Sequence, residues 1–98
     1  MHIDMKKFGR SLTTRAAGRA AYDVIISTPE WGTEVASFDF DGVESITNSF
    51  ADEVFGRMAS EHGMGWMRKH TTFCNISNFW AMVVRSAMDH RAPKAAVA

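Results

Sequence analysis

The sequence predicts a two-layer α/β domain: a small, mainly parallel sheet of three to four strands with three helices mostly on one of its faces. The prediction rests on stretches of helical apolar spacing, stretches of two-residue alternation, and their interleaving as βαβαβα along 98 residues. That order favours parallel strands joined by right-handed crossovers. At this length one hydrophobic core is expected, here in a domain over residues 1–90, followed by a flexible Ala-rich tail over 91–98.

The first strand is read from Ile3 and Met5 alternating with His2 and Asp4. A helix follows between Thr13 and Ile26, where Ala16, Ala17, Ala20, Ala21, Val24 and Ile25 recur at steps of three and four opposite Arg15, Arg19 and Asp23. Ser27-Thr28-Pro29 stops it. Ala36, Phe38 and Phe40 against Ser37 and Asp39 make the second strand. The second helix carries the stripe Phe50, Ala51, Val54, Phe55, Met58 and Ala59, with Asp52, Glu53, Arg57, Ser60 and Glu61 opposite. Thr47, Asn48 and Ser49 are candidate N-caps, Asp52 and Glu53 sit in the first turn where the helix dipole favours acids, and Gly63 suits a left-handed C-cap. A third, less regular strand sets Thr72, Cys74 and Ile76 against Thr71, Phe73 and Asn75. The third helix spans about Asn78 to Asp89 with Phe79, Trp80, Val83, Val84, Ala87 and Met88 turned inward.

Strands buried on both faces read apolar throughout, whereas Asp4, Ser37, Asp39 and Asn75 put polar groups on one side of these. The helices are therefore expected on the other side. Such a sheet has open edges, a liability that a homodimer or a partner strand would cover.

Eleven basic residues balance eleven acidic ones, so no net field draws the chain to nucleic acid or to an anionic membrane. Met1-His2-Ile3-Asp4 lacks the features of a secretory signal and no apolar run approaches the ~20 residues of a membrane span, so a cytoplasmic protein is expected. The lone Cys74 cannot form an internal disulfide and reads as a small core residue. His2, His62, His70 and Cys74 show no metal-ligand spacing, and Asp39, Asp41, Glu44, Asp52 and Glu53 fit no cation-loop template. Gly63-Met64-Gly65 does not continue into a nucleotide-binding loop. With no acid and base at a recognisable catalytic spacing, neither catalysis nor a bound metal or cofactor is expected.

Between Met64 and His70, Trp66, Met67, Arg68 and Lys69 combine residue types common at interface cores and form a secondary candidate interaction patch. The same residues would also serve to cover the core with their charges in water.

Residues 38–56 run Phe38-Asp39-Phe40-Asp41-Gly42-Val43-Glu44-Ser45-Ile46-Thr47-Asn48-Ser49-Phe50-Ala51-Asp52-Glu53-Val54-Phe55-Gly56: an apolar-Asp-Phe strand, a Gly-Val turn, then Ser-Phe-Ala-Asp-Glu at the start of a helix. This segment resembles the STAS-like family of prokaryotic domains of unknown function. Ser11-Leu12-Thr13-Thr14-Arg15 is similar to that family's Ser/Thr-Arg approach to its first helix, and the likeness spans roughly residues 8–90. The wider STAS fold is that of anti-sigma factor antagonists, which bind an ATP-dependent serine kinase and are switched by phosphorylation of a serine at a helix N-terminus after a strand. By this resemblance Asn48 falls at the phospho-acceptor position, Thr47 at the Asp before it and Ser49 just after. Asparagine cannot be phosphorylated, so Thr47 or Ser49 takes the role, or only the binding surface remains. The resemblance implies a regulatory, non-catalytic module whose protein partner is a histidine-kinase-like ATPase or serine kinase, bound through Thr47, Asn48, Ser49, Asp52 and Glu53. The alternative is a small inhibitor or adaptor, of the kind mobile elements encode, acting by direct binding without phosphorylation.

Overall fold

The chain is seen in a computed structural model, which describes residues 1–93. Its elements follow as β1 (His2–Asp4), a 3-10 turn (Met5–Phe8), β2 (Ser11–Leu12), α1 (Arg15–Ile26), β3 (Ala36–Asp39), β4 (Ser45–Ile46), α2 (residues 48–62), α3 (Met64–His70), β5 (Thr71–Cys74) and α4 (Asn78–Arg91). β1, β3 and β5 make a parallel sheet with β3 in the middle, and β2 and β4 pair in a second, two-stranded parallel ribbon. The expected α/β architecture is present, with a fourth helix and the short ribbon added to it.

The register explains the two layers. Ile3, Phe38 and Phe73 lie side by side across the sheet, as do His2, Ser37 and Thr72, and then Asp4, Asp39 and Cys74. Successive strand residues point to opposite faces, so the first row faces the helices and the other two face outward. Phe38 is buried, stacks on Phe73 at 5.4 Å between ring centres, and takes the edge of Phe55 from α2 at 5.0 Å. The outward face is polar. There Asp39 accepts hydrogen bonds from Asn75, from the Asp41 N–H and from His2, which hold its carboxyl down at about 2.

This register corrects two expectations. Phe73, not Cys74, is the residue of β5 turned to the core, and Cys74 lies half-buried on the outward face with its Sγ 3.7 Å from the Ser37 Oγ. The alternation of Thr and Cys carried too little hydrophobic contrast to fix the phase of this strand.

In α2 the predicted stripe Phe50, Ala51, Val54, Phe55, Met58 and Ala59 is buried without exception. The helix is α-helical at Asn48–Ala51, π-helical at Asp52–Gly56 and α-helical again at Arg57–His62, and the Arg57 N–H bonds the Asp52 carbonyl across the wide turn. Gly63 ends it with φ 83° and ψ 160°, a positive φ as expected but with ψ outside the left-handed helical region.

The inward faces of α1 and α4 differ from those expected. α1 starts at Arg15 and buries Gly18, Ala21, Tyr22 and Ile25, while Ala16 and Ala20 are exposed and Val24 is 51% exposed. Its phase is set by Gly18, where an added Cβ would stand 2.8 Å from the Glu53 Cβ and 3.1 Å from the Phe50 carbonyl oxygen. Only glycine lets α1 come so near α2. In α4, Val84 and Met88 are buried, but Phe79 is 65% exposed at the first turn and faces away from the core. α4 continues to Arg91, and residues 94–98 of the expected tail lie outside the described residues. Among the described residues no helix is long and apolar enough to cross a membrane.

Tyr22 supplies a direct check on the α1–α2 contact. It is buried, its hydroxyl donates to Glu61 at 2.7 Å, and the Arg57 guanidinium lies over its ring. Burial, followed by the Glu61 hydrogen bond and charge, pushes its pKa from 10.0 up to about 12. A raised phenol pKa favours the neutral form in the fold, so this stabilisation is present below pH ~10 and is lost as pH rises toward 12. The chain has one tyrosine, so phenolate absorbance reads this group alone. We expect a midpoint about 12 that Glu61→Gln lowers; a folded-state midpoint near the free-phenol value would contradict the contact.

Candidate functional site

The ribbon of β2 and β4 brings two helix starts side by side. Ser11 pairs with Ser45 and Leu12 with Ile46, the Glu44 N–H donates to the Arg10 carbonyl at 2.7 Å, and the Thr47 N–H donates to the Leu12 carbonyl at 3.0 Å. β4 runs directly into a cap and β2 reaches one after Thr13: Thr14 Oγ1 accepts from the Ala17 N–H at 3.0 Å, and Thr47 Oγ1 accepts from the Phe50 N–H at 3.3 Å. Each extended cap residue thus satisfies one free N–H of its helix. Thr47 also donates its hydroxyl proton to the Thr13 carbonyl at 2.8 Å, which ties the two helix starts together.

Beside this junction lies a groove of about 390 Å³ between the starts of α1 and α2 and the end of α4. Asn48, Ser49 and Asp52 come from α2, Arg15 from α1, and Ser86, His90 and Arg91 from α4. Asn48 is exposed and Ser49 half-buried. The Asp52 carboxylate sits at the centre, accepting from Arg15 at 2.7 Å and from Arg91 at 3.0 Å. Arg15 also reaches Glu53 at 3.2 Å. Burial alone would raise the Asp52 pKa, but the hydrogen bonds and charges of the two guanidinium groups outweigh it and hold the carboxyl below its ordinary value.

Two features make this clasp possible. Gly56 stands one helical turn after Asp52, and a Cβ there would lie 3.0 Å from the Ala87 carbonyl oxygen and 3.1 Å from Arg91 Cγ. Its bare Cα therefore admits α4 and lets Arg91 extend to Asp52. The π-helical turn begins at Asp52 itself, and such single wide turns recur at functional positions in helices.

Of the residues read from the sequence, Asn48, Ser49 and Asp52 thus share one groove; Thr47 is the cap behind it, and Glu53 joins through Arg15. Arg15, Ser86, His90 and Arg91 were not among the candidates. The spacing of Ser86 and His90, four apart on α4 with Ala87 and Arg91 beside them, is the only local signal that they share a side.

The secondary patch does not stay together. Trp66 stacks between His62, at 4.0 Å, and His70, at 4.2 Å, with Trp31 tilted against it. Met67 is buried, Lys69 is exposed, and Arg68 turns to a different, apolar groove. Only Trp66, Arg68 and Lys69 reach solvent, and Trp66 and Arg68 take part in separate features.

Residues 33–78 match the family model described as a STAS-like domain of unknown function (DUF4325). The match takes in β3, β4, α2, α3 and β5, whereas Arg15 and Arg91, which close the clasp on Asp52, lie outside it. No curated protein and no solved structure matches the chain.

Proposed function

From a chain that carries a STAS-like domain over residues 33–78, we propose a regulatory, non-catalytic module that binds a protein partner through the start of α2. The observation that carries this reading is the junction itself. The ribbon presents Asn48 and Ser49 beside a groove holding two arginines and a histidine, and the Asp52 clasp fixes the helices that form its walls. By family resemblance the partner is a histidine-kinase-like ATPase or serine kinase.

Within that reading Ser49, not Thr47, is the residue to modify. Thr47 uses its hydroxyl both to cap α2 and to hold the Thr13 carbonyl, so phosphate on it would undo the junction. Ser49 Oγ makes no hydrogen bond among the described residues and lines the groove. A phosphate there would bring a charge of about −2 to a helix N-terminus and compete with Asp52 for Arg15 and Arg91. The second reading, an inhibitor or adaptor that binds without phosphorylation, is favoured by one observation: both arginines are already engaged by Asp52.

Co-purification from the native host, with wild type beside Ser49→Ala and Ser49→Asp, separates the two. The switch predicts one partner held by wild type and Ser49→Ala, its loss with Ser49→Asp, and phosphate on Ser49 by mass spectrometry. A partner held equally by all three would sink the switch and leave the adaptor. Capture of none would contradict both readings.

A further inference from the structure

A second groove, of about 350 Å³, opens on the other side of α4, away from the Asp52 clasp. Met64 and Met67 of α3, Phe73 of β5, Ile76, and Val84 and Met88 of α4 give it an apolar floor, and its charged lining residues are two arginines, Arg68 and Arg85. No acid lines it. Arg68 makes no ion pair among the described residues, and Arg85 has only a 3.9 Å contact with Asp89 in which both side chains are mostly exposed. The groove therefore carries positive charge without its counterpart.

The same place is a sheet edge. Among the described residues β5 pairs with β3 on one side and with no strand on the other. The Phe40 N–H donates to the Cys74 carbonyl at 3.0 Å, so Cys74 and Thr72 turn their peptide groups toward β3. Peptide groups alternate along a strand, and Phe73 therefore presents its N–H and C=O to the open edge. Thr71 offers only its carbonyl there, because its N–H caps α3 at the Met67 carbonyl. Free backbone groups next to an apolar trough are the components of recognition by strand addition, in which the edge supplies the hydrogen bonds and the trough takes alternate side chains.

We propose that the edge of β5 and this groove take up an extended segment of a partner protein whose alternate, groove-facing side chains are apolar at its centre and acidic at its ends. Its backbone pairs with Phe73, its apolar side chains enter between α3 and α4 against the methionines, whose flexible thioethers adapt to varied shapes, and its carboxylates meet Arg68 and Arg85. A second copy of this chain fits less well. Pairing two β5 edges about a two-fold axis would bring one copy's Arg68 and Arg85 toward those of the other, like charge against like charge.

The test uses the whole chain and a fluorescein-labelled nonapeptide, Glu-Thr-Leu-Thr-Leu-Thr-Leu-Thr-Glu, in which leucines and glutamates share one face of the strand. We expect saturable anisotropy binding, amide-shift changes centred on residues 71–76 and the facing sides of α3 and α4, and no change around Asn48. Both arginines are exposed, so Arg68→Glu with Arg85→Glu should leave the melting curve unchanged while weakening the glutamate peptide about tenfold or more. The same pair of changes should reverse the preference toward the peptide with lysine in place of both glutamates. N-methylation of the peptide's alternate amides should abolish binding in one phase and spare it in the other. Equal binding of the lysine peptide to wild type, shifts centred elsewhere, or no binding at millimolar peptide would overturn the proposal. So would a dimer in light scattering with the Phe73 amide protected from exchange, since a second copy would then be the occupant.

Discussion

The Phe55→Ala variant is expected to lose about 3–5 kcal/mol of unfolding free energy, a large part of what a domain of this size possesses. Phe55 is fully buried, with its ring edge-on to Phe38 at 5.0 Å, 5.4 Å from Phe73 and 6.1 Å from Phe40. Among the described residues its ring pairs with all three of these sheet-side aromatics. Truncation removes the apolar area and leaves a cavity whose walls, a rigid sheet and a three-helix junction, collapse poorly. Urea denaturation followed by circular dichroism measures the loss, and Phe55→Leu, which keeps most of the volume, should lose less. A change under about 1 kcal/mol would mean that the aromatic cluster is not the centre of the core.

Gly18→Ala sets two effects of opposite sign against each other. Alanine in the middle of an exposed helix is worth about 1 kcal/mol over glycine. Here its methyl would meet the Glu53 Cβ at 2.8 Å and the Phe50 carbonyl oxygen at 3.1 Å, both held near the helix backbone and unable to swing aside. Forcing α1 and α2 apart costs about 1–3 kcal/mol, occasionally more, and we expect the clash to win. Because Glu53 also accepts from Arg15, the movement falls on the junction beside Asn48 and Ser49. The variant should therefore be less stable and also show amide-shift changes at residues 47–53. A more stable Gly18→Ala would mean that the helices are not in this contact.

The phase of α1 illustrates what its sequence could and could not convey. Alanines at 16, 17, 20 and 21 give almost no contrast around the helix, so the apolar pattern pointed to Val24, whereas the close contact at Gly18 rotates Tyr22 inward instead. In α2 the six apolar residues contrast with acids and arginine and all six inward positions they predict are buried, whereas Gly56, buried against α4, carries no apolar signal. No element is predicted between the second helix and the third strand, where α3 lies. It is helical because Met67 anchors it to the core and the ring of Trp66 is sandwiched between His62 and His70.

The candidate site divides in the same way. Thr47, Asn48, Ser49, Asp52 and Glu53 announce a helix start through local cap and dipole preferences. The ribbon that sets this start beside Thr13 and Thr14 has two residues in each strand, too few for alternation to register. Arg91 was assigned to the tail because nothing near it in sequence holds it; Asp52, 39 residues earlier, does. Long-range pairing of this kind has no period and leaves no local trace.

Site-specific photo-crosslinking in the native host tests most directly whether the start of α2 is the partner surface. A photoreactive residue at exposed Asn48 should yield one predominant covalent adduct with a host protein, diminished by Ser49→Asp, while the same residue at exposed His2, on the outward face of the sheet at the edge away from β5, should yield none. An adduct from position 2 and none from position 48 would place the interface on the open sheet face and contradict the assignment of function to the α2 junction.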